Sequence, residues 1–210
     1  CRISKFSTMR ADTICIPARV PAKIRCMRDD AERWDARYDG RLTGAPKMPK
    51  GLGGLELRRG GVCLDVACGL GEQSLWAAQQ GFEVVALDAS QVAITALNSA
   101  AMTLGVRDRL DTRVHDIDEG LPTDVAGRCG LVICQRFRAP TVYEQLVYML
   151  LPGGGLVITV LSQVGAAFEP GPYHAPPGEL IDVFRDLDVE IVRSLEADGE
   201  ATLVARRLPD

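Results

Sequence analysis

From Val62 onward, short apolar runs alternate with amphipathic segments, and this alternation predicts βαβ units around a parallel sheet. Val62–Val66 reads as a buried strand. Gly69 and Gly71 open a helix that runs through Trp76 to Gln80, with Gly81 as its stop. A second strand covers Phe82–Leu87 and ends at Asp88. Ser90 then caps a helix whose Ile94, Leu97, Ala101 and Leu104 share one face. Thr112–His115 and Leu131–Cys134 read as the third and fourth strands. Pro140 suits the first turn of a helix expected to end at Pro152, and Leu156–Leu161 is the fifth strand. A further helix covers Pro177–Asp186. Two alternating runs around Asp198-Gly199 then give the signal of an antiparallel hairpin. The expectation is one α/β domain over residues 29–210. It is a Rossmann-like, seven-stranded, mostly parallel sheet with an antiparallel C-terminal hairpin and helices on both faces.

Upstream, 29–39 reads as a short helix closed by Gly40, followed by a Gly-, Pro- and Lys-rich loop to about Gly54. Residues 1–28 carry seven Lys or Arg against one acid, Asp12. They are expected to form a flexible basic arm dispensable for folding, with a transit peptide as the alternative. The chain has 210 residues, 47% hydrophobic and 25% charged, which excludes a disordered chain, a collagen repeat and a coiled coil. A net charge of −4 gives no reason to expect nucleic acid as a partner. The one long uncharged stretch, Gln145–Phe168, is broken by Pro152-Gly153-Gly154-Gly155 into pieces too short to span a bilayer. The seven cysteines contain no Cys-x-x-Cys pair, and with His115 and His174 the only histidines no metal site is expected. A reduced, cytoplasmic protein is the simplest reading.

The segment Asp65-Val66-Ala67-Cys68-Gly69-Leu70-Gly71 joins a buried strand to a helix. Glycines there let backbone approach a ligand, and the helix start offers free amides. Asp88, ending the next strand, is placed to accept both hydroxyls of a ribose. A dinucleotide fingerprint needs Gly or Ala where this chain has Ser74. Asp65 would also repel a pyrophosphate, whereas a ligand carrying an ammonium and a sulfonium tolerates it. These features favour S-adenosylmethionine over NAD.

At this point the sequence resembles the class I S-adenosylmethionine-dependent methyltransferases, whose motif I is matched by Leu64 to Leu75 with Ala67 in place of the usual first glycine. Asp116, Leu151-Pro152-Gly153-Gly154 and the closing hairpin extend the likeness. Trp34-Asp35-Ala36-Arg37-Tyr38 and Pro177-Gly178-Glu179-Leu180 bring it nearest to the tellurite-resistance and thiopurine-type small-molecule branch. The resemblance implies a cofactor held by Asp65, Ala67, Cys68, Gly69, Gly71 and Gln73, then by Asp88, Ala89 and Ser90. Asp116, Ile117, Cys134 and Gln135 complete that set, and Trp34 lies over the cofactor as part of an N-terminal lid.

For the acceptor, Gln135-Arg136-Phe137-Arg138 follows the fourth strand, at the sheet end where open α/β folds bind substrates. Arg136 and Arg138 would attract an anionic group; solvated surface arginines are the plain alternative. Tyr173 and His174 sit in a Pro-rich loop able to cover the acceptor, with His174 the only candidate base. The expected activity is methyl transfer to a small acceptor such as a thiol, a carboxylate or a chalcogen oxyanion. A non-catalytic S-adenosylmethionine-binding scaffold and an NAD-dependent oxidoreductase remain the other readings.

Overall fold

The computed structural model describes residues 27–57 and 61–209, with side chains from Ala31 onward, so the expected basic arm lies almost wholly outside the described residues. Seven strands form one sheet in the order β3-β2-β1-β4-β5-β7-β6. They are β1 (Val62–Val66), β2 (Glu83–Asp88), β3 (Leu110–Val114), β4 (Cys129–Gln135), β5 (Leu150–Leu161), β6 (Val189–Ala197) and β7 (Glu200–Arg207). The first five run parallel, and β7 pairs antiparallel with both β5 and β6. Asp198 (φ 52°) and Gly199 (φ 76°) make the tight hairpin that the Asp-Gly pair announces.

Strands β1 and β4 suit the centre of the sheet because every residue of both is buried except Val62 and Gln135, which are half-buried. From β1 the chain winds outward to β2 and β3, then returns to place β4 on the other side. The crevice at such a reversal is where ligands of open α/β sheets sit. Val66 stands level with Leu87 of β2 and with Cys134 of β4, so the carboxyl ends of all three strands reach one rim.

Two apolar layers cover the sheet. On one face α2 (Glu72–Gln79) and α3 (Gln91–Thr103) bury Leu75, Ile94, Leu97 and Ala101. Leu104, expected on that stripe, is instead 42% exposed, because the helix ends at Thr103 and Leu104 turns outward as its cap. On the other face α4 (Tyr143–Met149) and α5 (Glu179–Phe184) bury Tyr143, Leu146, Leu180 and Phe184. Truncating one such fully buried leucine to alanine costs about 2–5 kcal/mol.

Two sequence expectations shift. The helix before β5 ends at Met149 rather than Pro152, and β5 starts at Leu150 and runs through the Pro-Gly-Gly-Gly stretch. The strand absorbs it by an irregularity in register, with Cys129 opposite Leu150 but Leu131 opposite Gly155. No helix among the described residues is long and apolar enough to cross a membrane.

The N-terminal part supplies α1 (Met27–Tyr38) and then an extended strap, 41–57. Asp35 ties α1 to the start of α3, accepting from Ser90 Oγ (2.5 Å) and from the Val92 amide (3.1 Å). The strap lies where β4, β5 and β7 have no covering helix among the described residues; Leu52, Leu55 and Leu57 join the apolar layer there. Arg193 donates to the Gly51 and Gly53 carbonyls, and Arg206 to that of Glu56.

Candidate functional site

A cavity of about 770 Å³ opens at the crevice between β1 and β4. Its size is ordinary for a site that holds small ligands, about 300–1,000 Å³. A second concavity of about 810 Å³ runs along the outer side of α3. Its lining, from Leu42, Pro46, Val92, Ala96 and Ala100 among others, has Arg41 as its only charged group, so it brings no reactive constellation together.

The donor wall is built from the turn after β1. Ala67 (φ 54°) and Gly71 (φ 81°) take left-handed backbone, which lifts the loop off the strand and turns it into α2. At Gly71 a side chain is excluded twice over: a Cβ there would stand 2.3 Å from Leu97 Cδ1. Asp88 organises the loop from the neighbouring strand. Its Oδ2 accepts from the Gly69 amide (2.7 Å) and its Oδ1 from the Ser90 amide (2.9 Å). Burial pushes the Asp88 carboxyl up, while those two amides pull it down.

Asp65 lies underneath this loop. It is 2% exposed, accepts from Ser74 Oγ at 2.5 Å, and burial pushes its pKa up to about 7. Of the residues expected around the cofactor, Trp34, Ala67, Cys68, Gly69, Gly71, Gln73, Asp88, Ala89, Asp116, Ile117 and Gln135 line the cavity. Asp65, Ser90 and Cys134 stand behind that lining. Ser90 serves as the cap of α3, accepting from the Ala93 amide, and the buried Cys134 thiol contacts the Phe137 carbonyl at 3.5 Å.

The acceptor wall comes from the end of β4. Arg136 holds left-handed backbone (φ 57°), and its amide donates to the Thr159 carbonyl (2.8 Å) and to Thr159 Oγ1 (2.9 Å). Its exposed side chain lines the cavity and has no acidic partner among the described residues. Arg138 also lines the cavity, but the expectation of a second available cation needs correction. Its guanidinium is paired with Glu179, with Nε 2.8 Å from Oε1, and Tyr143 donates to the same carboxylate at 3.2 Å. His174 is not among the lining residues; its Nδ1 accepts from the Gly171 amide at 3.0 Å.

Sequence reasoning missed Arg33, Arg37 and Arg41, which enter the cavity from α1 and the residue run after it. The signal was available in the spacing: Arg33 and Arg37, like Trp34 and Tyr38, are four residues apart and therefore neighbours on one helix surface. Trp34 stacks on Tyr38 with ring centres 5.8 Å apart. The Tyr38 pKa is pushed up to about 12, first by burial and then by the carboxylate of Asp88. The phenol thus stays neutral, and burial likewise keeps the Cys68 thiol protonated. Neither is a base or nucleophile at neutral pH.

Sheet order, the glycine turn and the carboxylate ending β2 are the features that the resemblance to S-adenosylmethionine-dependent methyltransferases implies. Residues 63–154 match the family model described as a methyltransferase domain. Among solved structures the chain is similar to TehB from Haemophilus influenzae, with TM-score 0.58 and 20% identity over 70% of this chain. It spans 57% of the TehB chain's length. It is also similar to geranyl diphosphate C-methyltransferase from Streptomyces coelicolor A3(2), a structure containing Mg2+, geranyl diphosphate and S-adenosyl-L-homocysteine. There the TM-score is 0.65 at 14% identity, covering 87% of this chain and 98% of that one. The [4+2]-cyclase SpnF gives TM-score 0.63 at 16% identity, covering 88% and 94%. At these identities the likeness is one of fold. No curated protein matches the chain by sequence.

Proposed function

We propose that this protein transfers a methyl group from S-adenosylmethionine to a small acceptor that is anionic or rich in lone pairs, such as a thiol, a carboxylate or a chalcogen oxyanion. The observation that carries the acceptor class is Arg136: a guanidinium on strained backbone, directed to the cavity and lacking an acidic partner among the described residues. Backbone strain of this kind, roughly 1–3 kcal/mol, persists where surrounding bonds over-determine it, and Thr159 supplies two of them here.

The described residues fit the donor. The Gly69–Gly71 turn leaves room for close backbone approach, and the Asp88 and Asp116 carboxylates stand on the same wall. Gln135 offers a further handle. Its Oε1 accepts from the Lys50 amide at 3.0 Å, which leaves Nε2 buried and without a partner among the described residues. S-adenosylmethionine, when bound, supplies a methyl carbon already activated by a positive sulfur. The chain's own work is then alignment, which alone can be worth several powers of ten in rate. With His174 off the cavity lining and Glu179 engaged by Arg138, an acceptor that arrives ionised or with an available lone pair suits this wall best. The four cysteines among the described residues are unpaired, which supports a reduced compartment such as the cytoplasm; the net charge of −4 supports a small-molecule acceptor over nucleic acid.

The test has two arms. Calorimetry should show binding of S-adenosylhomocysteine and none of NAD. A screen with labelled donor should then find turnover of a small thiol, carboxylate or chalcogen oxyanion. Arg136→Met is expected to raise the acceptor KM or lower kcat by about tenfold, the worth of one charged hydrogen bond, with donor affinity unchanged. Binding of NAD alone would replace this reading with an oxidoreductase. Donor binding with no turnover of any acceptor class would favour the non-catalytic scaffold, and methylation confined to protein or nucleic acid would overturn the acceptor assignment.

A further inference from the structure

Unpaired arginines are gathered in one place. Among the described side chains, every arginine except Arg37, Arg41 and Arg136 donates from its guanidinium to an acceptor elsewhere in the protein. Those exceptions all line the cavity between β1 and β4. Arg33 and Arg138 line it too, but Tyr173 and Glu179 engage them.

The unpaired cations reach the cavity from two elements. Arg136 comes from the turn after β4, where Thr159 fixes its backbone and leaves its side chain exposed. Arg37 and Arg41 come from the end of α1. The Arg37 guanidinium lies 5.5 Å from the Trp34 ring centre, and the Arg41 amide donates to the Tyr38 carbonyl at 2.9 Å. Both stand near enough to the Tyr38 phenol to favour its ionised form, although burial outweighs them. That phenol faces the glycine turn, since a Cβ on Gly69 would lie 2.9 Å from Tyr38 Oη.

Neither the donor nor the cavity's own acids answer this charge. Bound S-adenosylmethionine brings one carboxylate against an ammonium and a sulfonium, so it adds positive charge. Its carboxylate is matched by a single bidentate guanidinium. Asp88 is taken up by the Gly69 and Ser90 amides, and Asp116 accepts from the Asp118 amide. A doubly charged phosphoryl group suits what remains, because its oxygens accept from several planar guanidiniums at once. Lone pairs held in charged hydrogen bonds are poor at attacking carbon. A group gripped in this way is therefore an anchor, and the attacking atom stands elsewhere on the same molecule, aligned by that anchor.

We propose that the methyl acceptor carries a phosphate monoester, separate from the atom that is methylated, and that Arg136 together with Arg37 and Arg41 binds it. The methyl-transfer reading above is needed for calling this molecule the acceptor; the anion site itself stands on the arginines.

The test uses the full chain saturated with S-adenosylhomocysteine and two probes of like shape. Phenyl phosphate is doubly charged at about pH 8, and phenyl sulfate carries a single charge. Calorimetry should show phenyl phosphate bound at least about tenfold more tightly. Arg136→Met, Arg37→Met and Arg41→Met should each weaken it by about tenfold to a hundredfold, the worth of one charged hydrogen bond, with S-adenosylhomocysteine affinity held. All three side chains are exposed, so their replacement leaves the core intact. Arg185→Met removes an equal charge from an arginine paired with Asp182 outside the cavity, and it should bind phenyl phosphate as the parent does. Equal affinity for the two probes, no binding of phenyl phosphate, or an equal loss in Arg185→Met overturns the proposal. Loss of S-adenosylhomocysteine affinity alone in the Arg37 and Arg41 variants assigns that pair to the donor carboxylate and overturns it as well. If the parent fails to bind S-adenosylhomocysteine, the donor reading falls, and the same titrations on the free protein decide the anion site.

Discussion

The two walls of the cavity are built by different means. On the donor wall, backbone amides of Gly69 and Ser90 converge on the buried Asp88, all within 25 residues of one another. On the acceptor wall, Arg138 meets Glu179 across 41 positions, and Arg33 meets Tyr173 across 140. The first is fixed by short-range backbone geometry, so its energy is concentrated in a few residues that tolerate no change. The second is assembled from long side chains, so it can be altered piece by piece.

The difference is broken most severely at Gly71. Gly71→Ala should lower unfolding stability by about 3–5 kcal/mol, combining strain at a positive φ with overpacking against Leu97. Urea denaturation measures it; a loss below 1 kcal/mol would show that the donor wall is as adaptable as the other. Asp65 tests the same wall through pH. Its carboxyl holds its proton more tightly folded than unfolded, so the native state binds more protons between about pH 4 and 7. Stability should therefore decline as pH rises across that window, by about 1.4 kcal/mol per pH unit at most, and level off above it. Asp65→Asn should flatten the profile of chemical denaturation between pH 5 and 8. The smallest effect belongs to the acceptor wall. Glu179→Ala leaves a partly buried Arg138 and the Tyr143 hydroxyl without their acceptor, at a cost of about 1–3 kcal/mol. S-adenosylhomocysteine affinity should hold, and a loss larger than that of Gly71→Ala would reverse the ranking of the two walls.

The contrast also explains what the sequence made legible. Strand and helix order followed from periodicity, because β1, β2 and β4 are buried runs and Ser90 caps a clear amphipathic helix. The donor wall was legible for the same reason: its glycines and carboxylates act near where they stand in the chain. The pairing of Arg138 with Glu179 was not, since sequence spacing says nothing about which of several acids an arginine will meet 41 residues away. The strap was legible as a loop to about Gly54, and 41–57 indeed holds no helix or strand, but its anchoring was not legible, since it comes from Arg193 and Arg206 far along the chain and from leucines without a period. Strand β5 began six residues early because its Pro-Gly-Gly-Gly run is carried by neighbouring strands.

That strap has a consequence for how the molecule comes into being. Residues 50–56 are among the first of the described chain to leave a ribosome, yet the groups that hold them, Arg193, Glu200 and Arg206, are among the last. Gly51 lies directly against Thr202, on the final strand of the sheet. The covering of the β4–β5–β7 face must wait until the hairpin has been synthesised and has inserted, a closure of high contact order and so a slow one. Until then the strap has only the β4–β5 part of that face to settle on and lacks its contacts to Arg193, Glu200 and Arg206. A chain halted before residue 193 would carry a nearly complete β1–β5 sheet with a loosely covered apolar face open to other chains.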